Sequence, residues 1–374
     1  MKYIVADISG KVELYDKALV KELLKELNTI NVRLLLPGDG LISLVPRKFK
    51  NSESFIKRVA KVIEGLINYC WVVIATKTNK ASVLHLQWLP FMDIVGWEIF
   101  ILKIIRKVSP ETKIVLTIHN VYPHNMSDNA KKSYNIRFRK ASESIDEFIV
   151  HTEISKQEVI REFGLEPHKV NVCCHGVFVP EGVTPKVTNR EGGKLHILQF
   201  GGQSFYKGTD VLVDAVCGLS QGLKDKIETR IVGCISENYL NELKAKDSDG
   251  IIIWKPYFLG DKELYEEINY SDLIVLPYRA ISQSGVLLLS IFFGKCIICS
   301  NLPAFRETMQ GGEGCELDND FFFENERSES LRALIERYIN YEVDEEKIHA
   351  RIARLKDLYS WASAAKATLQ VYNK

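Results

Sequence analysis

Two stretches of the chain combine residue types that could hold an anion. His196 to Val216 reads HILQFGGQSFYKGTDVLVDAV: an apolar strand, the pair Gly201 and Gly202, a short loop, then Lys207 and Gly208 at a helix start. The glycines permit close backbone approach, and Lys207 sets a point positive charge beside the helix N-terminus. Ser271 to Glu307 repeats this logic. Asp272 to Tyr278 is an apolar, β-branched run suited to a buried parallel strand, and Arg279 to Gln283 supply a polar loop. Ser284 and Gly285 then open an apolar helical segment that stops at Gly294. First-turn N–H groups lack intrahelical partners and the helix dipole adds partial positive charge, so a phosphate could sit against Ser284, Gly285 and Val286. Taken singly, a glycine pair after a strand reads equally as an ordinary βα turn with a surface lysine.

These stretches need a scaffold, and the rest of the sequence supplies an alternating one. Strand patterns at Lys2 to Ile8, Val32 to Leu36, Val83 to Trp88, Lys113 to His119, Glu147 to His151 and Lys169 to Cys174 alternate with helical ones. The helical patterns fall near Asp16 to Leu27, Ser54 to Ile67, Val95 to Lys107, Ser127 to Ser144 and Ile154 to Phe163. Val177 to Lys194 breaks the rhythm with prolines and glycines and reads as a linker. A second alternation begins at Leu195, and Ser328 to Asn373 is helical throughout. The expected fold class is α/β with two doubly wound, Rossmann-like domains, 1–180 and 195–357, and ligands bound at strand C-terminal ends in a cleft between them.

Composition narrows the function. At 374 residues, 46% apolar and 26% charged, the chain is a globular two-domain protein. Its net charge of +1 implies no nucleic-acid partner. Up to Pro180, 26 basic residues face 19 acidic ones, so the first half is basic and the second acidic. No signal-peptide pattern follows Met1, and the apolar candidates Ile94 to Ile105 and Gly285 to Phe293 fall short of the roughly 20 residues that span a bilayer. A cytoplasmic protein with reduced thiols is expected. Cys296 and Cys299 form a C-x-x-C inside an apolar strand, where alternate side chains diverge, so no redox or metal role is assigned to them. A Rossmann oxidoreductase is disfavoured because no G-x-G-x-x-G follows a predicted strand.

The order strand-FGG-x4-KG-x6-A, then DLIVLPYR-x3-QSGV about 65 residues on, then GK-x4-SNLPAFRE, resembles the C-terminal half of family 4 retaining glycosyltransferases, the group 1 glycosyl transferases of GT-B fold. VLHLQWLP, IVLTIHNVYPH and FIVHTEISKQEVIREFGLEPHKVNVCCHG resemble the family's N-terminal half, and YSWASAAKATLQVY its closing helix, about 358–374, which in the family packs back on the first domain. The resemblance implies a nucleotide-diphosphate sugar as co-substrate rather than a cofactor, bound by the C-terminal domain. It implies a glycan or lipid-linked acceptor bound by the N-terminal one, with transfer by retention, without a metal, in surface polysaccharide assembly. Lys207 matches the lysine on the donor diphosphate, and Gln283, Ser284 and Gly285 the loop facing sugar and phosphate, bordered by Tyr278 and Arg279. Tyr257, in WKPY, falls near the expected nucleotide base, and His119, in TIHN, matches a cleft-facing histidine. His151 and His175 also end strands.

The family usually frames the helix start with two glutamates that have seven residues between them. Here the first falls at Ile281 or Ser282 and the second at Leu289 or Ser290, and no arginine precedes Lys207 between Gly202 and Phe205. A glycosyltransferase-like protein that binds nucleotide sugars without turnover is therefore the alternative. Asp247-Ser-Asp249 and Asp318-Asn-Asp320 are read as acidic loops, not as the D-x-D metal motif of the other glycosyltransferase fold. Lys131, Lys132, Arg137, Arg139 and Lys140 share one predicted helix: either a solvated face or a peripheral contact with anionic lipid on the inner face of a membrane.

Overall fold

The computed structural model describes residues 1–27, 31–44, 55–123, 126–179, 182–186, 193–281, 284–311 and 319–374, with the backbone alone for 55–58. The chain forms two units, Met1–Gly176 with Ser360–Lys374, and Val177–Tyr359. The Pro/Gly-rich stretch expected as a linker falls in the second unit, where the backbone N–H of Lys186 donates to Asn269 Oδ1 (2.8 Å). Gln283, the Asn125 of a sequon-like Asn-Met-Ser and Asp318 lie outside the described residues.

The first unit begins β1 (Tyr3–Ala6), α1 (Glu13–Leu27), β2 (Val32–Pro37) and β3 (Gly40–Leu41). It continues α2 (Phe55–Thr78), β4 (Val83–Leu86), α3 (Glu98–Val108), β5 (Lys113–Thr117), α4 (Asp128–Ser142), β6 (Glu147–Val150), α5 (Glu153–Phe163) and β7 (Val170–Val172). The strands pair in parallel in the order β3-β2-β1-β4-β5-β6-β7. Strand alternation sorts the side chains: Ile4 and Ala6 enter one apolar layer, Tyr3 and Val5 the other. The β1, β4 and β6 side chains are buried or nearly so, as a sheet covered on both faces requires.

The second unit runs β8 (Leu195–Phe200), α6 (Thr209–Cys217), α7 (Gln221–Lys224), β9 (Ile227–Val232), α8 (Glu237–Lys246) and β10 (Ile252–Lys255). Then come α9 (Asp261–Tyr270), β11 (Leu273–Leu276), α10 (Gly285–Phe292), β12 (Cys296–Ser300), α11 (Pro303–Gln310), β13 (Phe322–Phe323), α12 (Ser328–Ile339) and α13 (Glu345–Leu358). Its parallel sheet has the order β10-β9-β8-β11-β12-β13. α14 (Trp361–Asn373) belongs to the first unit and packs on α1, with Tyr372 stacked on Tyr3 and Trp361 filling the space a side chain at Gly176 would need. The fold class is α/β, two parallel sheets flanked by helices.

Two expectations need correction. α2 does not stop near Ile67 but runs to Thr78, and its segment Val59–Thr78 is long and apolar enough to cross a membrane by length and composition. Tyr69, Val72 and Ala75 on its inner stripe are buried in the core, so it serves here as a layer helix. Not every strand is followed by a helix, since β2 leads into the two-residue β3. The described cysteines are free thiols.

Candidate functional site

In each sheet, strand order reverses at one place, and the loops that leave the strand C-termini there diverge to open a crevice. In the second unit that place is between β8 and β11. The loops leaving these two strands are the two stretches singled out from the sequence.

After β8 the chain passes Gly201 and Gly202 and makes a 3₁₀ turn, Phe205–Lys207, ended by Gly208 with φ +63°. A Cβ at Gly208 would lie 1.8 Å from the Pro277 carbonyl oxygen, so only glycine brings the turn this close to the β11 loop. The two loops are then sewn together. Arg279 N donates to Tyr206 O (2.8 Å), and the Arg279 guanidinium donates to Phe205 O (2.6 Å) and to both Asp210 oxygens (2.9 and 2.7 Å). Glu326 accepts from Arg279 Nε (3.1 Å). Burial raises the Asp210 pKa, but the Arg279 hydrogen bonds and charge outweigh it and hold the carboxyl below its usual value. Hydrogen bonding to Asp210 raises the Arg279 guanidinium in turn. Arg279 is thus a bidentate clasp between the loops.

Lys207 is placed differently. Its Nζ donates to the Tyr278 hydroxyl (2.6 Å) and lies 4.0 Å from the Tyr278 ring centroid and 5.4 Å from that of Tyr206, with no carboxylate among the described residues paired to it. Burial pushes its pKa down to about 8. A half-buried ammonium facing two tyrosines and no anion is a cation still able to take one. The charge is complete below that pKa and lost above it. Affinity for a nucleoside diphosphate should therefore fall as pH rises from about 7 to about 9.5, in calorimetric titrations at constant ionic strength. A flat profile would exclude Lys207 from anion binding.

α10 opens beside this lysine. Ser284 caps it, its Oγ accepting from Leu287 N (3.1 Å) and also hydrogen-bonding Tyr278. Gly285 is exposed, and a Cβ there would meet no atom of the described residues within 4 Å beyond its chain neighbours and its own helix backbone. Val286 packs toward Gly201, 3.4 Å from where a Cβ on that glycine would stand. Gly201, Lys207, Tyr278, Ser284, Gly285 and Val286 therefore converge at one crevice, with exposed Gly202 beside Gly201. Tyr257 is half exposed in the loop after β10, its hydroxyl donating to Glu263 (3.2 Å). Ser290 is buried and donates to Val286 O (2.7 Å), so it presents nothing to a ligand, as a glutamate would.

Sequence reasoning missed Gln203, buried under the glycine pair. Its Nε2 donates to Gly201 O (2.8 Å) and its Oε1 accepts from Thr209 Oγ1 (2.8 Å), bracing the loop from beneath. Asp247 accepts from the Ile251 and Ile252 amides and from Trp254 Nε1, and Asp249 pairs with Lys224 (2.7 Å). Both acids hold the α8–β10 turn. Among the described residues no three or more His, Cys, Asp or Glu side chains form a group that could hold a metal ion.

In the first unit the reversal lies between β1 and β4. There an open recess of about 420 Å³ is lined by Lys11 after β1, Trp88 and Leu89 after β4, His119 and Asn120 after β5, and Tyr134 and Phe138 of α4. The Lys11 ammonium sits 4.6 Å from the Trp88 ring centroid, and the His119 ring stacks on Trp88 at 6.3 Å. Asp7, buried at the end of β1, builds the loop by accepting from Ser9 N, Ser9 Oγ and Val12 N. Asp16 behind it is held protonated, with its pKa raised to about 9 by burial first and the charge of Asp7 second. His119 lines this recess, and with His151 and His175 it packs around the Tyr15 ring.

Comparison with known proteins fits this geometry. Residues 194–340 match the family model described as glycosyl transferases group 1. A GDP-mannose:glycolipid 4-beta-D-mannosyltransferase of Xanthomonas campestris pv. campestris is 23% identical over 231 residues, 59% of this chain and 61% of that protein. A glycosyltransferase structure from Rickettsia africae ESF-5 superposes with TM-score 0.66 at 20% identity, covering 100% of this chain and 98% of that one. HepE of Anabaena in complex with UDP gives 0.61 at 14% identity, with 99% of both chains covered. Segment 194–340 is thus similar to the group 1 glycosyl transferases, and the two parallel-sheet units are those of the GT-B fold.

Proposed function

We propose that the protein is a glycosyltransferase that moves a sugar from a nucleoside-diphosphate sugar to a hydroxyl of a glycan or lipid-linked acceptor. The observation that carries this is Lys207, a half-buried cation without an acidic partner among the described residues, beside the open N-terminus of α10. In the step, the bond from the anomeric carbon to the diphosphate oxygen breaks and one to the acceptor oxygen forms. The diphosphate gains charge as it leaves, and Lys207 with the α10 N–H groups meets that charge in place of a divalent cation. The hydroxyl proton passes to a departing phosphate oxygen, in keeping with retention at the anomeric carbon. Relatives named for GDP-mannose and crystallised with UDP support a nucleotide-sugar donor. The recess at Lys11, Trp88 and His119 is read as the acceptor side, where an indole face suits a sugar ring. We place the reaction in surface polysaccharide assembly, in the cytoplasm. Incubation with a panel of nucleotide sugars and phospholipid-linked glycans, followed by release of nucleoside diphosphate, tests it. Binding without release by any donor would favour the binding protein that the missing glutamates suggest.

A lipid-linked acceptor implies contact with a bilayer, and the first unit has a face for it. Arg137 donates to the Met92 and Asp93 carbonyls and Arg139 to Glu162 O near the end of α5, so two of the five α4 cations hold neighbouring backbone. The exposed apolar surface lies instead on α2 and α3, which pack together: Val59, Ile63, Trp71 and Ile74 on one, Phe100 and Ile104 on the other. Lys61, Lys77, Lys103 and Lys107 are exposed on the same two helices. Apolar side chains rimmed by lysines suit an anionic interface. Trp71 is 49% and Phe100 69% exposed, so the double variant Trp71→Glu, Phe100→Glu should fold normally. It should lose about tenfold or more in partition onto phosphatidylglycerol-containing vesicles. Unchanged flotation with vesicles would remove this face from the account.

A further inference from the structure

Three histidines end β5, β6 and β7 of the first unit, and two of them join in a row that starts at a backbone carbonyl. His151 Nδ1 lies 2.9 Å from Cys173 O. Its Nε2 lies 3.1 Å from His119 Nδ1, and His119 Nε2 lies 3.2 Å from the side-chain oxygen position of Gln87. A carbonyl oxygen only accepts, so His151 carries its proton on Nδ1. Burial keeps that imidazole neutral, with its pKa lowered to about 4, so its Nε2 is a lone pair. Among the described residues, the contact that satisfies this lone pair is an N–H from His119 Nδ1. His119 is also kept neutral, by burial first and then by the neighbouring imidazoles, so its own Nε2 is left as an acceptor. This acceptor requires the Gln87 amide, whose nitrogen is placed 3.4 Å from both His85 ring nitrogens, to be turned by a half-turn, which sets the nitrogen toward His119 and the oxygen toward His85.

We propose that His151 is a positioning residue that locks His119 in the Nδ1–H form, so that His119 Nε2 is a standing acceptor for a hydroxyl of a sugar bound in the recess. The row has one direction, from the His119 N–H to His151 and from His151 to the Cys173 carbonyl. What it presents at its free end is an electron pair, which a phosphate or carboxylate cannot use and a ring hydroxyl can. A ligand hydroxyl displaces the Gln87 amide or shares the lone pair with it. Anion recognition in this unit is left to Lys11, across the Trp88 ring. This inference rests on the reading of the recess as the acceptor side, yet its physical core belongs to the ligand-free protein.

Long-range proton–nitrogen correlation spectra of ¹⁵N-histidine-labelled protein at neutral pH test it directly. His151 and His119 should both show a protonated Nδ1 and an unprotonated Nε2, the less populated form of a free neutral histidine. In His151→Gln the amide oxygen stands near the old Nε2 and still accepts, so His119 keeps its Nδ1 proton. In His151→Leu it has no acceptor, and the proton of His119 moves to Nε2. In transfer assays His151→Leu should raise the acceptor KM about tenfold, one hydrogen bond's worth, while His151→Gln stays within about threefold of wild type. A wild-type His119 protonated on Nε2, or an unchanged His119 form in His151→Leu, overturns the proposal. Should the spectra match while no sugar is transferred by the wild type, the tautomer lock stands and the transferase reading fails.

Discussion

Replacing Lys207 with alanine should reduce sugar transfer by about 10²-fold or more, because a charge-assisted contact to an oxygen that gains charge in the transition state contributes about 2 to 4 kcal/mol. The loss should be larger in kcat/KM than in ground-state affinity, since the diphosphate carries more charge as it departs than while it is bound to the sugar. Structure should survive the change. Among the described residues the Lys207 ammonium spans no ion pair, and the turn that carries it is held by Gly208, by Gln203 and by Arg279 on Asp210. Lys207→Arg need not restore activity, because a longer, planar guanidinium does not reproduce the point charge that the ammonium places on the Tyr278 hydroxyl and ring. Steady-state rates on a donor accepted by the wild type measure the effect. An alanine variant with wild-type kcat/KM would take Lys207 out of the site.

Gly285→Val should lose donor affinity by about a hundredfold or more without loss of melting temperature, as two or three charge-assisted N–H contacts to phosphate are blocked at once. The argument is steric. Among the described residues nothing outside its own helix and chain neighbours approaches a Cβ at Gly285, and its backbone needs no left-handed conformation, so the added side chain disturbs none of their packing. The space it would fill is the approach to the first free N–H groups of α10, next to the Ser284 cap. A β-branched residue near a helix start costs only a few tenths of a kcal/mol, too little to unfold the unit. The contrast with Gly208 is diagnostic. Alanine there would press on the Pro277 carbonyl and should destabilise the whole loop pair, so the two glycines separate a ligand effect from a folding effect.

The crevice loops were legible in the sequence because buried parallel strands are unbroken apolar runs, and because Gly201, Gly202 and the Pro277-Tyr278 pair punctuate their ends. Helix starts at Ser284 and Thr209 carried local signals too. Other parts had no such signature. The end of α2 was misplaced because NYCWVVIAT is apolar on nearly every side and offers no period to follow. β3 and β13 are two residues each, too short to alternate. The engagement of Arg279 by Asp210 joins residues 69 apart, and only the adjacency of β8 and β11 brings them together. His119, His151 and His175 stood out as strand ends. Their grouping depends on Tyr15 from α1, Gln87 after β4 and Trp361 from α14, three elements whose proximity spacing does not encode.

The claim on which the rest depends is that the crevice between the β8 and β11 loops holds a nucleoside diphosphate. Calorimetric titration of the wild-type chain near neutral pH with UDP, GDP and ADP, each without added metal, tests it most directly. The account predicts micromolar binding of at least one of the three, exothermic from phosphate contacts, abolished in Gly285→Val and strongly weakened in Lys207→Ala. No heat from any of the three with folded wild-type protein, or binding that both variants retain in full, would contradict it.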